Sequence, residues 1–183
     1  MKRGQLSREI ILEQALKIAS KSGLNKVTYN GLAREVGIQP QSMYRYLNNL
    51  ADVRGGTLAL YIEKLTTALS QLELPHSGKE ALHQLSVDFI QFTQSGIPFS
   101  DMVSGIATYG QDSHVQDALA GLRSLFTPII QSLTSDPQQA AANAELLIEF
   151  IIGHLGLMSV RRNTEQQQRQ FEANIDRLLS LFN

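Results

Sequence analysis

Four residues, VGIQ at 36–39, separate two segments that both read as short helices. Thr28 can cap the first, and Tyr29, Leu32, Ala33 and Val36 follow at offsets 0, 3, 4 and 7, one apolar face that stops at Gly37. Pro40 opens the second with its φ already set and no N–H to satisfy. A link this short, with a glycine in it, has the length of a tight helix-turn-helix connection. Ahead of it, Ser7 can cap a helix running to about Ser22, with Ile11, Leu12, Ala15, Leu16, Ile18 and Ala19 on one face and Gly23 as its stop.

The rest of the chain is helical by the same measure. Apolar residues recur at three and four, and no stretch sustains the period-two alternation of a strand. A long helix is expected from about Leu50 to Leu74, closed by Pro75. HSG (76–78), SGIP (95–98), YGQDS (109–113) and TSDP (134–137) punctuate four more segments, and Asn163-Thr164 begins a last one. The fold expected is all-α with about nine helices: a three-helix N-terminal helix-turn-helix head over 1–50, joined by a long helix to a larger helical body over 51–183. With 43% hydrophobic residues the chain can fill a core.

Several classes are disfavoured. There is no cysteine, which excludes disulfides and cysteine-based zinc sites and points to the cytoplasm. The four histidines (76, 83, 114, 154) form no HxxxH pair, and there is no GxSxG elbow, GxxxxGK[ST] phosphate loop or GxGxxG turn. The expectation is therefore no enzyme, no metal and no cofactor. The start of the chain is basic, but Glu9 and Glu13 interrupt any signal-peptide core. The most apolar run, LLIEFIIGHLGLMSV (146–160), is expected to be too short for a bilayer and contains Glu149 and His154. No membrane partner is expected.

Charge is unevenly placed. Residues 1–55 hold nine Lys/Arg against four acids, a net of +5; the remainder holds seven against thirteen, a net of −6. A basic head on an acidic body suits an anionic partner for the head alone. On a wheel of 100° per residue, Gln41, Ser42 and Arg45 fall within roughly a 100° arc, Met43 and Leu47 point the opposite way, and Tyr44 and Tyr46 sit on the two borders. Anchored by Met43, Leu47 and Ile38, such a helix presents a polar ridge flanked by two phenols. Arg pairs with guanine O6/N7 and Gln with adenine N6/N7 in a major groove, while tyrosine hydroxyls reach phosphates on its walls. Thr28 offers a helix N-terminus to another phosphate. Lys2 and Arg3 can form a basic arm along the backbone or in the minor groove. An ordinary amphipathic helix of core and surface residues is the competing reading of the same segment.

The run TYNGLAREVGIQPQSMYRYLNNLADV (28–53) resembles the DNA-binding domain of the TetR/AcrR family of transcriptional regulators. The Thr cap, Leu-Ala-Arg-Glu, a hydrophobic-Gly-hydrophobic turn and Tyr-x-Tyr before a hydrophobic residue carry the resemblance, over about residues 8–54. It implies an all-helical homodimer on a pseudo-palindromic operator in double-stranded DNA, usually a repressor released by a small organic effector. Carried over by position, Thr28, Gln39, Gln41, Ser42, Tyr44, Arg45 and Tyr46 are the DNA-contacting set, with Tyr29 beside the cap. Two departures stand out. Leu50 occupies the place of a family lysine that touches phosphate, for which Asn48 or Asn49 could substitute. Gln39 stands where serine is common, a poorer cap with a longer reach.

In the body, residues 137–162 are expected to form a helix that is apolar nearly all round. Its narrow stripe of Glu149, Gly153, Gly156 and Val160 would admit another helix closely. With Phe171, Ile175, Leu178, Leu179 and Phe182 of the final helix, it is the expected dimer interface, packing within one chain being the alternative. His154, on the opposite side with Phe150, Ile151 and Met158, is a pocket candidate, as are Phe89, Phe92, Met102, Tyr109 and Phe126. Each could equally be plain core. A pocket so lined suits an organic effector. A second functional class stays open: a helical protein-interaction adaptor whose head does not bind DNA.

Overall fold

The computed structural model describes residues 6–75, 78–160 and 165–182, and no strand occurs among them. Lys2 and Arg3, and the Asn163-Thr164 helix start, lie outside the described residues. Helix α1 spans Arg8–Ser22; Ser7 Oγ accepts from the Ile10 N–H at 3.3 Å, and Gly23, at φ +96°, ends it. A 3-10 turn, Leu24–Lys26, leads to α2, Tyr29–Val36. Thr28 Oγ1 caps α2 by accepting from the Gly31 N–H at 3.1 Å. Gly37 closes it in the left-handed region at φ +73°, its N–H directed at the Ala33 and Arg34 carbonyls, a conformation that costs other residues steric strain.

The third element differs from expectation. Pro40–Arg45 is a 3-10 helix, not an α-helix. Ser42 N bonds Gln39 O and Tyr46 N bonds Met43 O, both three residues back. Six residues gain few i→i−4 bonds, so the tighter winding satisfies their N–H groups sooner. The long helix α3, Leu50–Ser70, is also shorter than expected. Gln71 N bonds Ala68 O and Leu72 N bonds Leu69 O, so i→i−3 turns finish the chain before Pro75. Then follow α4 (Gly78–Thr93), α5 (Phe99–Tyr109), α6 (Ser113–Gln131), α7 (Pro137–Val160) and α8 (Glu165–Ser180). With Pro40–Arg45 counted, nine helices longer than one turn lie among the described residues.

The chain divides into two compact units: residues up to Lys64 with Gln94–Ala120, and Leu65–Thr93 with Gly121 onward. In the first, α1, α2 and the 3-10 elements bury Ile11, Ala15, Ala19, Val27, Leu32 and Met43 to 1% exposure or less. Helix α5 belongs to this unit and packs on the Leu24–Lys26 turn. Asp101 Oδ2 accepts from the Leu24 N–H at 2.8 Å, and a Cβ on Gly105 would stand 2.9 Å from Leu24 Cδ2. The compact unit holding the helix-turn-helix therefore extends beyond residues 1–50. In the second unit α4 packs against α8 and α7, around Leu82, Leu85, Ile130, Leu147, Ile175 and Phe182.

Candidate nucleic-acid interface

Three residues per turn rearrange the expected ridge. Gln41 and Tyr44 share one line, Ser42 and Arg45 the next, and Met43 and Tyr46 the inward one. Met43 and Leu47 are buried to 0% and 1% exposure and anchor the segment. Gln39, Gln41, Tyr44 and Arg45 are exposed, and Ser42, Tyr46 and Ile38 half-buried. Tyr44 is thus not a border residue: at 65% exposure it stands on the crest. Tyr46, expected as its mirror image, turns partly inward.

Beneath Tyr44 lies Tyr29, the rings stacked with centroids 5.1 Å apart and planes 26° from parallel. The Tyr29 hydroxyl donates to the Leu47 carbonyl at 2.9 Å. Burial first, then the neighbouring Tyr44 and Asp52, raises its pKa. Its one proton is committed inside the head, so Tyr29 supports the crest instead of offering a donor to a phosphate. Gln39 makes no side-chain cap bond, leaving its exposed amide for outside contacts. Thr28 is exposed, with Oγ1 engaged as the cap.

The residues after the turn form a second fixed point. Asn49 Oδ1 accepts from the Asp52 N–H at 2.9 Å and caps α3, so Asn49 is not a free replacement for the family lysine at Leu50. Asn48 remains exposed, though its N–H donates to Asp52 Oδ2 at 2.8 Å. The other carboxylate oxygen, Asp52 Oδ1, pairs with Arg8 Nη2 at 2.7 Å. Burial pushes the Asp52 pKa up, but Arg8, the Asn48 N–H and His114 outweigh it and leave it lowered. The Arg54 guanidinium donates to the Asn25 carbonyl at 2.7 Å and to that of Val27 at 3.1 and 3.2 Å. Sequence reading missed Arg8, Asp52 and Arg54; the Asn49-x-x-Asp52 spacing, a relative of the capping box, was the available signal. Two cations of the basic head thus point inward. Lys21, Lys26, Arg34 and Arg45 stay exposed, without an ion pair or hydrogen bond among the described residues.

The candidate pocket residues fall in both units. Met102 (8% exposed) and half-buried Tyr109, whose Cβ stands 3.6 Å from the position a Gly55 Cβ would take, belong to the first. In the second, Phe89 meets Phe126 edge-on at 6.3 Å, and Phe150 stacks on Phe171 at 5.7 Å. His154 lies over Phe171 at 4.2 Å, its pKa lowered by burial, and Met158 is half-buried nearby in sequence. Phe92, near the end of α4, is less covered than a pocket residue was expected to be, at 37% exposure. A groove of about 510 Å³ that the sequence did not suggest lies along α4 and α8, where His83 Nδ1 and Asp176 Oδ1 stand 2.6 Å apart.

The expected dimer residues divide. Glu149 and Gly153 are exposed on α7, Gly156 is half-buried, and a Cβ on Gly153 would meet nothing within 4 Å. The side chain of Val160 lies outside the described residues. Leu146, Ile148, Ile152 and Leu157 add a 38–49% exposed apolar surface to the same outer side of α7. On α8 the expectation fails: Phe171, Ile175 and Leu179 are at most 3% exposed, as is Phe182 just beyond, so all four are occupied by their own chain's core. Leu178 is half-buried, and Leu181 is the exposed one at 63%. The length expectation for the apolar run is corrected too. Pro137–Ser159, 23 residues at mean hydropathy 1.3, is long and apolar enough to cross a membrane.

A capped α2, a left-handed glycine turn and an exposed polar third element, ahead of an all-helical body, define a helix-turn-helix protein. No protein-family model matches the chain. It is 23% identical over 136 residues to an HTH-type transcriptional regulator of Mycobacterium tuberculosis, covering 74% of this chain and 62% of that protein. It is 24% identical over 87 residues to the HTH-type transcriptional regulator YobS of Bacillus subtilis, covering 48% and 46%. The match thus spans 46–62% of the length of these curated relatives. Among solved structures, a TetR regulator from Streptomyces coelicolor superposes with TM-score 0.79 at 16% identity, covering 97% of both chains. BioQ with its double-stranded DNA operator gives 0.68 at 18% identity, over 96% of this chain and 99% of that one. ActR of Streptomyces coelicolor in complex with (S)-DNPA gives 0.68 at 15%, over 98% of both. The chain has the fold of the TetR family of transcriptional regulators.

Proposed function

We propose that the chain is a DNA-binding transcriptional regulator, a cytoplasmic repressor that binds a pseudo-palindromic operator as a homodimer and is released by a small organic effector. It acts by binding and not by catalysis. The observation that carries the reading is the exposed set Gln41, Tyr44 and Arg45 on a segment whose inward residues, Met43 and Leu47, are fully buried. Gln41 and Arg45 supply base-edge geometry, Tyr44 and Ser42 phosphate contacts, and Lys21, Lys26 and Arg34 the surrounding positive field. BioQ, of the same fold, was solved on its operator, which favours this use of the head. The functional division is 1–50 for DNA and 51–183 for effector and dimer.

For the dimer, the outer side of α7 is the contact, with Glu149, Gly153 and Gly156 beside Ile148 and Ile152. The effector contacts we assign are the aromatic groups of the second unit, Phe89 with Phe126 and Phe150 with His154. ActR's complex with (S)-DNPA supports an organic ligand on this fold. Fluorescence anisotropy against labelled duplexes tiling the DNA upstream of the gene, each beside a shuffled duplex at two salt concentrations, tests the reading. Selective, salt-sensitive binding with half-sites about 10 bp apart, or a multiple of it, is expected. No binding even at low salt would leave the protein-interaction adaptor.

A further inference from the structure

We propose that Arg8 and Asp52 are a positioning pair for the recognition segment: α1 helps hold its exit, residues 47–49, in register through the Asp52 carboxylate, without Arg8 touching DNA. The inference rests on the DNA-binding reading above. Its geometry is a chain of short contacts. Arg8 Nη2 meets Asp52 Oδ1 at 2.7 Å, and Asp52 Oδ2 accepts from the Asn48 N–H at 2.8 Å. Asn49 Oδ1 in turn accepts from the Asp52 N–H at 2.9 Å. Just upstream, the Leu47 carbonyl accepts from Tyr29 at 2.9 Å, and Leu47 N bonds Met43 O at 3.1 Å.

The segment carrying Gln41, Tyr44 and Arg45 has no side-chain cap of its own. A short 3-10 helix of six residues has little intrinsic stability. Its exit, however, is pinned at three successive residues, Leu47, Asn48 and Asn49. The Asn48 link depends on a carboxylate that is 14% exposed and is neutralised by a guanidinium 28% exposed. Without Arg8 that carboxylate would be left partly buried with its ion-pair partner gone, and the segment would relax toward water. Arg8 also lies close to Gly56 on α3, where a Cβ would come 3.2 Å from Nη2, so the guanidinium is enclosed from that side. One of the cations in the basic head is thereby assigned to geometry instead of affinity for phosphate.

The probe is a labelled duplex that the unaltered protein selects from a random-sequence pool, with anisotropy read over a range of salt. Arg8→Ala is expected to weaken binding about tenfold with the slope of log K against log salt unchanged. A lost phosphate contact would instead reduce that slope by about one. Asp52→Asn, which retains an acceptor for the Asn48 N–H but no charge, should cost a similar factor. The double variant should lose no more than the worse single one, and Arg8→Lys should recover part of the loss. Circular dichroism shows whether each variant is folded at the assay temperature; should Arg8→Ala fail to fold, Asp52→Asn and Arg8→Lys carry the test. Undiminished binding by Arg8→Ala overturns the inference, as does a reduced slope with Asp52→Asn unaffected. If the unaltered protein selects no duplex, the DNA reading falls first and the pair is only a tie between helices.

Discussion

On Gln39–Arg45 the exposed side chains are polar; on the outer side of α7 they are Leu146, Ile148, Ile152 and Leu157. Both surfaces lie opposite a well-buried face, Met43 and Leu47 in one case and Leu147, Ile151 and Leu155 in the other. Exposure therefore does not separate them; chemistry does. Polar groups with hydrogen-bonding capacity left over suit a hydrated, charged partner whose edges can replace water. Four large aliphatic side chains on one helix gain nothing from water and suit a second apolar surface. On the proposed reading, the head would meet DNA through directional bonds that a short, tightly braced element must aim. The body would meet a second copy through area, for which a long regular helix is enough.

The strongest way to break this comparison is to put a charge on the apolar side. Ile152→Glu, at a site 49% exposed in the single chain, should leave each chain folded but cost dimerisation about 3–5 kcal/mol through an unpaired buried carboxylate. Light scattering over a concentration series should then report a monomer, with operator binding lost alongside. A variant that stays dimeric at the same concentration would remove the outer side of α7 from the interface. Met43→Ala tests the opposite element. Its side chain is fully buried, so truncation should destabilise the protein by about 2–5 kcal/mol in urea unfolding while leaving the dimer contact untouched. A negligible loss would mean that the recognition segment is not anchored as described.

Arg45→Ala addresses the polar surface alone. Specific binding should weaken by about 1–3 kcal/mol, and one operator position should relax. Stability should hold, since the exposed guanidinium makes no ion pair or hydrogen bond among the described residues. An equal loss on every duplex would make Arg45 a phosphate contact and shift base reading to Gln41.

How far the chain could be read in advance follows the same contrast. Ser7, Thr28, Gly23 and Gly37 act where they stand, through local bonds, and their roles were legible from residue type and spacing. The winding of Pro40–Arg45 was not, because a six-residue segment fits three or 3.6 residues per turn equally well in sequence, and only the bond partners decide. Hence Tyr44 and Tyr46 looked equivalent and are not. Phe171, Ile175 and Leu179 were misread for another reason. An apolar stripe records that a face is covered, not whether the cover comes from the same chain or a second copy. The i, i+3, i+4 pattern is identical in both cases. Arg8, Asp52 and Arg54 escaped because their partners are main-chain atoms and one another, and distant pairings leave no periodic trace.

His154 gives the smallest expected effect, and it distinguishes the two sides of α7. It is half-buried over Phe171 on the inner side, and burial holds its pKa below the ordinary 6.5. The unfolded chain, with the ordinary value, binds a proton as the pH drops through that range while the native imidazole still resists it. Stability should therefore be unaffected above about pH 7 and fall as the pH is lowered through about 6. His154→Leu should remove this contribution, so its melting temperature should drop less than that of the unaltered protein between about pH 7 and about pH 5.5. The difference between the two curves is the informative quantity, because every other group is common to both proteins. Parallel curves would place His154 in water, and the inner side of α7 would then be as open as the outer one. A difference that persists in Ile152→Glu would assign it to packing within one chain and not to the contact between two.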